Sequence, residues 1–364
     1  MSYDIAIIGA GIAGATLAAA IGDRARVLIL EAEDVAGYHA TGRSAAFWSE
    51  TYGGPGIQPL TTLSGPILQA GGFLQPLGSL HIGRSGDATL ADAFLAEFAG
   101  SGVALERVDP AAHIPGLRAG WTVGVYEPSC AYIDVAALHA DALANARRAG
   151  ATLKLGCALK SARRENGRWR IETTSGPHEA AVLVNAAGAW VDKVALAAGA
   201  APIGIQPYRR TLAQLRTDPA VPAGIPHVAH LDGSFYFKPE AGGRLWLSPH
   251  DETPVEPCDV QPEELDVAIA IDRMEQAVDW RVLQVERKWA GLRSFAPDRL
   301  PVYGFAHDIP GFFWFAGQGG FGIQTAPAAA RIGAALLLGD TPPPGIDIAR
   351  YTPARFVDKL TPPN

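Results

Sequence analysis

The chain has 364 residues, 48% of them hydrophobic and 18% charged, with a net charge of −7. The composition is globular, and the length exceeds what one core usually supports, so two domains are expected. No Lys/Arg cluster exists to track phosphates, which excludes nucleic acid as a partner; the scattered Cys130, Cys157 and Cys258, with no CxxC, argue for reducing surroundings and against a metal site.

Residues 5–8 (Ile-Ala-Ile-Ile) form an apolar run of strand length, and Gly9-Ala10-Gly11-Ile12-Ala13-Gly14 follows at once. Residues 15–21 read as a helix rich in small side chains, and 27–30 as a second apolar strand ending on Glu31. Strand, glycine turn, helix, strand and acid in that order are the dinucleotide fingerprint. Gly9 permits the tight turn, Gly11 lets backbone approach a pyrophosphate, and Gly14 lets helix and strand pack closely. The helix N-terminus offers N–H groups and a positive dipole end to phosphate. A carboxylate at Glu31 accepts ribose hydroxyls and repels a 2′-phosphate, so the ligand is FAD or NAD. Asp4 precedes the run and no basic n-region exists, so neither an export signal nor a transmembrane helix is expected.

Residues 34–44 are a turn-rich crossing in which Thr41, Arg43 and Ser44 bring hydroxyl and guanidinium donors beside the dinucleotide turn. The alternative is a helix cap at Thr41 or Ser44 ahead of 45–48. Residues 52–56 are a Gly/Pro loop, 57–70 and 88–100 read as helices, and 79–83 and 119–126 as strands. This block lacks the βα rhythm and belongs to a second unit. A helix follows over 133–148, a strand over 152–155, and a hairpin over 158–173 on an Asn166-Gly167 type I′ turn. Residues 181–184 form a buried strand leading into Asn185-Ala186-Ala187-Gly188-Ala189-Trp190, read as a third strand at the edge near the adenine half.

From Pro202 the chain shifts to strands (206–215, 234–238, 244–247) and a helix over 262–278, which should join the earlier block in one antiparallel sheet. Residues 291–294 and a turn at 297–299 bring the chain back to an aromatic strand at 312–316. Gly317-Gln318-Gly319-Gly320-Phe321-Gly322 then opens a helix over 325–338. A second glycine loop at a helix N-terminus suits a flavin, whose reduced ring a positive dipole end stabilises, and so favours FAD. No repeat is present, and the Pro-rich end (342–344, Pro362, Pro363) reads as loosely packed.

Five ordered motifs, GAGIAG (9–14), HATGRSAA (39–46), VNAAGAW (184–190), WAGLRSF (289–295) and GQGGFGIQT (317–325), carry a resemblance to the D-amino acid oxidase/dehydrogenase family of FAD enzymes. Together with SFYFKP (234–239) and DVQPEELD (259–266), the chain most resembles the bacterial FAD-dependent D-arginine dehydrogenases. The fold implied is α/β: a discontinuous Rossmann-like FAD-binding domain (1–50, 130–200, 290–364) with an α+β substrate domain on an antiparallel sheet (51–129, 201–289).

The resemblance implies that Gly9, Gly11, Gly14 and Glu31, with Ile12, Ala13 and Ala32, hold the ADP half of non-covalently bound FAD. Thr41, Gly42, Arg43, Ser44 and Ala45 would meet the pyrophosphate or flavin, flanked by Ala187, Gly188 and Trp190. Gly319, Gly320, Phe321, Gly322, Ile323 and Gln324 would meet the ribityl chain and ring edge. Some relatives attach FAD through a histidine near His39, which here reads as a hydrogen-bonding loop residue. Arg210 and Arg293 match the arginines that grip a substrate carboxylate, and Tyr52 and Tyr236 the tyrosines that close over it. Chemistry alone favours a salt-bridge role for Arg293 and leaves the tyrosines open between packing and substrate contact. Arg210 and Arg209 must point to opposite faces of a strand.

The reaction implied is oxidative deamination of a D-amino acid to a 2-oxo acid and ammonia. The acceptor would be a quinone or another respiratory-chain component, in a cytoplasmic protein with peripheral membrane contact at most; an oxidase stays open. Where dehydrogenases for basic D-amino acids place an acid, this chain has Ser79. With Phe47 and Trp48 nearby, an apolar preference is expected, since a buried cation needs a partner. The alternatives are a glycine, sarcosine or 2-hydroxy acid enzyme of the same fold, and a flavin-binding electron-relay subunit.

Overall fold

The computed structural model describes residues 2–359, and in them two large sheets and a small three-stranded one are surrounded by helices. The first is built on β1 (Ser2–Ile8) and β2 (Val27–Leu30), which pair in parallel and are joined through α1 (Ile12–Ile21). Along it run, in order, Leu159–Glu165, Arg168–Thr173, Gly176–Asn185, β1, β2 and Thr152–Lys154; Phe312–Ala316 joins Gly176–Asn185, with Val302–Phe305 beyond. The β1 side chains alternate: Ile5 and Ile7 face the layer of α1 and α7 (Ala326–Leu338), while Ala6 and Ile8 face Trp169, Phe312 and Trp314. Burial on both faces is why the sequence reads as an unbroken apolar run. The other helices are α2 (Gln58–Ala70), α3 (Ala88–Glu97), α4 (Val135–Arg148), α5 (Val191–Ala197) and α6 (Glu264–Ala277).

The second sheet runs Gln318–Gly319, Arg281–Phe295, Gln206–Asp218, Arg244–Ser248, Tyr236–Glu240, His227–His230, Ser79–Arg84, Trp121–Glu127, Glu106–Val108. The two chain blocks do join, as expected, but through one parallel pair, Ser79–Arg84 with His227–His230; the neighbours on either side are antiparallel. Its spine is the antiparallel pair of Gln206–Asp218 and Arg281–Phe295.

Several expectations need correction. Gly176–Asn185 lies inside the first sheet, beside β1, and not at its edge. No helix follows Ser44: Ala46 takes φ 59°, and Phe47–Trp48 is a short strand, β3, paired with Ala131–Ile133. The strand entering residues 291–294 begins ten residues earlier, at Arg281, and runs through the boundary expected at 289/290. Helix α2, expected in the second unit, places Leu60 in the core of the first sheet. The glycine loop at 317–322 is separated from the α7 N-terminus by turns at 322–325, so the dipole argument for FAD does not hold in that form. Pro342–Pro344 lie outside helix and strand; Pro362 and Pro363 fall outside the described residues.

Gly14 is the tightest point of the first βαβ unit. A Cβ there would fall well inside contact distance of the Gly9 carbonyl and 3.2 Å from Ile7 Cγ2. Gly14→Ala is expected to lower stability by roughly 2 kcal/mol through overpacking, measured by denaturant unfolding; an unchanged midpoint would count against this packing.

Candidate active site

A cavity of about 500 Å3 runs along the C-terminal ends of β1 and β2 towards the second sheet, inside the ~300–1,000 Å3 range of small-molecule and cofactor sites. At one end Leu30, Cys157, Leu159, Val194 and Ala197 make an apolar slot beside Glu31 and Ala32. In the middle Gly9, Gly11, Ile12 and Ala13 meet Thr41, Ser44 and Ala45, with Ala187, Gly188 and Trp190 opposite. At the far end stand Phe47, Tyr52, Tyr236, Arg293, Gly319 and Gly320, with Gly322, Ile323 and Gln324.

Local geometry explains these placements. Gly9 takes φ 104°, and a Cβ there would lie 2.6 Å from the Ala186 carbonyl oxygen. The Ile12 N–H at the start of α1 donates to Thr41 Oγ1 at 2.9 Å, and Glu31 accepts from the Ala10 N–H at 2.7 Å. Thus the hydroxyl sits at the helix N-terminus and the carboxylate at the β2 tip.

Four expected cofactor contacts lie off this wall. Gly14 packs inside the βαβ unit, and Gly42 packs against the Gly37 carbonyl. Phe321 is buried beside Tyr52 and Phe295. Arg43 turns away to Asp259 and to the carbonyls of Val260 and Ala290, because a carboxylate and two carbonyls are available there. The Gln324 side chain is spent on structure, accepting from the Ser49 N–H and donating to the Tyr52 carbonyl and Thr61 Oγ1.

At the far end two adjacent strands present both arginines on one face. Arg210 pairs with Gly291 in register and Tyr208 with Arg293, so Arg293 lies diagonal to Arg210. Gly291 has no side chain, and Arg293 Nη1 lies 2.8 Å from where its Cβ would be. Arg293 therefore folds across the gap into the cavity. Its one protein hydrogen bond among the described residues goes to the Leu292 carbonyl, at 3.2 Å. Burial, and then the Arg210 charge, lower its pKa.

Arg210 is committed differently and does not line the cavity. It donates to the Asp251 carbonyl at 2.8 Å, Glu252 Oε1 at 3.1 Å and the Tyr52 hydroxyl at 3.4 Å. Arg209 points to the other face, as a strand requires, and pairs with Glu263 and Asp266. Tyr236 is buried, which raises its pKa against the pull of Arg210. Trp48 leaves the expected pocket: its Nε1 donates to the Thr61 carbonyl and its ring covers Gly65.

Ser79 lines a second, smaller chamber behind Phe47, Tyr52 and Tyr236, together with His81, His227, His230 and His250. Among the described residues that line it there is no carboxylate; the rings of Phe47, Phe94 and Phe235 give it a largely apolar wall, into which the imidazoles and the Ser79 hydroxyl are set. Burial lowers the pKa of His81 to about 4 and that of His250 to about 3, the latter helped by Arg210. Of these, His81 reads from the sequence as a structural strand residue, and His227, His230, His250 and Glu127 escaped sequence reasoning. Buried Glu127 accepts from Ser49 Oγ at 2.8 Å, Thr51 Oγ1 at 2.6 Å and the Glu50 N–H at 2.7 Å, which clamps the loop carrying Tyr52. Burial raises its pKa against those bonds.

The family model for FAD dependent oxidoreductases (DAO) matches residues 4–336, and the chain belongs to that family. Mouse mitochondrial dimethylglycine dehydrogenase is 27% identical over 256 residues, which is 64% of this chain and 29% of that protein. The chain thus spans under a third of the length of that relative. Glycine oxidase from Geobacillus kaustophilus superimposes with a TM-score of 0.84 at 22% identity, covering 96% of this chain and 98% of that one. L-proline dehydrogenase from P. horikoshii gives 0.85 at 20% identity, covering 98% of each chain. The cofactor is FAD, and the cavity fits it: an apolar slot with a carboxylate, a glycine turn at a helix N-terminus, and a second glycine loop lie along one channel. Among the described residues no helix is long and apolar enough to cross a membrane, and no cluster could hold a metal.

Because His81 is held neutral when folded and takes a proton when unfolded, its contribution is complete above about pH 6.5 and is lost as pH falls towards 4. Wild type should lose stability over that window more steeply than His81→Gln, by up to about 1.4 kcal/mol per pH unit. Parallel denaturation curves against pH would refute this.

Proposed function

We propose that the protein is an FAD-dependent D-amino acid dehydrogenase acting on substrates without a basic side chain. The observation that carries this reading is Arg293, a buried guanidinium facing the cavity end with a single backbone carbonyl as partner. A substrate carboxylate supplies the missing charge, and a planar fork holds it bidentately. Tyr52 and Tyr236 lie over the same end and order the α-carbon against it. Arg210 acts at one remove, holding the Tyr52 hydroxyl.

Gly9, Gly11, Thr41 and Gly319 would hold FAD along the channel, and the cofactor would supply the two-electron oxidant for the Cα–H bond of the neutral amino acid; the imino acid product hydrolyses in water to a 2-oxo acid and ammonia. No carboxylate is among the described residues that line the substrate end. The neighbouring imidazoles, His227 and His250, are too weakly basic to deprotonate an ammonium group. The amine must therefore arrive neutral. The motif resemblance supports the D configuration and a quinone or other respiratory-chain acceptor. A glycine- or sarcosine-type substrate is the second reading, favoured by the similarity to dimethylglycine dehydrogenase. Glycine would leave the second chamber unfilled.

Anaerobic addition of D- and L-amino acids, sarcosine and 2-hydroxy acids should bleach the oxidised flavin band with D-amino acids alone. Bleaching by L-amino acids or sarcosine overturns the reading. The rate of bleaching should rise with pH through the substrate amine pKa and then level; a falling alkaline limb near neutrality would show a protein acid at work. Arg293→Lys should reduce kcat/KM by about 100-fold or more, mainly in KM, because an ammonium cannot reproduce the fork. Arg210→Ala should instead cost roughly 2 kcal/mol of stability, since it deletes a buried side chain together with its bonds to the Asp251 carbonyl, Glu252 and Tyr52. Equal effects of the two on KM would remove the distinction.

A further inference from the structure

The second chamber measures about 160 Å3 and shares Phe47, Tyr52 and Tyr236 with the FAD cavity. At the ~30 Å3 that a water occupies in the liquid, it holds about five waters, a space that one aromatic side chain fills. Its walls are rings. His227 stacks on Phe47 at 4.5 Å between centroids, His81 packs on Phe94 at 4.4 Å, and Tyr236 lies 5.5 Å from His227. No carboxylate is among the described residues that line it. A cationic side chain would enter without a counter-charge and lose its hydration for nothing.

Two imidazole nitrogens among the described lining residues lack a hydrogen-bond partner, Nε2 of His230 and Nε2 of His227; the first lies 3.5 Å from Asp87 Oδ2, and the second has no such neighbour. His227 is 4% exposed; its Nδ1 shares a hydrogen bond with Ser79 Oγ at 2.9 Å, and its Nε2 has no partner. Burial, helped by the Lys238 charge, keeps the ring neutral, so it offers one donor or acceptor and no charge. Buried polar groups in folded proteins are paired by protein, water or ligand, and His227 lines a chamber with room for either of the last two. An aliphatic side chain would fill part of the chamber and leave Nε2 unpaired.

We propose that this chamber receives the substrate side chain and selects an uncharged ring bearing a hydrogen-bonding atom, such as an imidazole, phenol or indole, paired to Nε2 of His227. The inference rests on Arg293 as the carboxylate anchor, because that contact sets the α-carbon at the mouth formed by Phe47, Tyr52 and Tyr236. Within it, His227 is the residue that determines specificity, and Ser79 positions its ring.

The test has two arms, both on the FAD-loaded protein at about pH 8, where a free imidazole is neutral. The first compares kcat/KM for D-histidine, D-tyrosine and D-tryptophan with D-phenylalanine, D-leucine and D-arginine. The second measures binding of 4-hydroxyphenylacetate and phenylacetate by the change in flavin absorbance; neither acid carries an amine to oxidise. A heteroatom-bearing ring should lead D-phenylalanine and D-leucine by about tenfold or more, and the phenol should outbind its parent by a similar factor. His227→Phe, which keeps a ring against Phe47, should bring both ratios within about twofold. Ser79→Ala, a smaller change, should lower them about threefold. A preference for D-leucine or D-arginine, ratios near one in the wild type, or ratios that neither variant moves would overturn the inference. If no D-amino acid reduces the flavin while the phenol still outbinds phenylacetate through His227, the proposed reaction fails and the subsite stands.

Discussion

A guanidinium buried at the end of a cavity without a carboxylate of its own is the constraint on which the site depends. Removing such a charge from water costs several kcal/mol, and the protein recovers little of that through one backbone carbonyl. The second sheet supports the cost. Thirteen paired positions between Gln206–Asp218 and Arg281–Phe295 hold Arg293 rigidly, and Gly291 opens the gap across which it folds. Arg210, two positions along on the same face, has its charge answered by Glu252, so the two arginines are not equivalent. What looks like a pair in the sequence is one arginine facing the cavity and one bracing a tyrosine.

The cavity forms where the two sheets meet, and one loop joins the sides. Residues 47–52 leave the FAD layer as β3 and carry Phe47 and Tyr52 between the two chambers. That loop is tied from both sheets: by Glu127 of the second sheet through Ser49, Glu50 and Thr51, and by Gln324, ahead of α7, through Ser49 and Tyr52. Preorganised rings of this kind orient a substrate without having to be ordered on binding.

Much of the first sheet was legible in the sequence, because it rests on local rules. The glycine turn, the small-residue helix and the apolar strands sit within thirty-one residues, and the Asn166-Gly167 hairpin announces itself by two positive φ angles, 50° and 77°. The long strand from Arg281 was not legible: its first half is charged and largely exposed, so neither an apolar run nor clean alternation marks it. The direction of Arg43 depends on Asp259, far away in the chain, and nothing near Arg43 signals it. The histidine chamber was hidden for the same reason. His81, His227 and His250 come from separate segments, and each alone reads as a structural residue.

The parallel joint between Ser79–Arg84 and His227–His230 has a consequence for how the molecule is made. The second sheet cannot close until strands about 150 residues apart have met, and its spine waits for residues up to 295. High sequence separation of this kind slows folding, because loop closure must precede the contacts that reward it. A nascent chain can complete the first βαβ unit early, yet the walls of the FAD channel extend from Ile8 to Gln324. Cofactor capture is therefore a late event in synthesis. Until it happens, the half-built second sheet exposes strand edges that chaperones would have to guard.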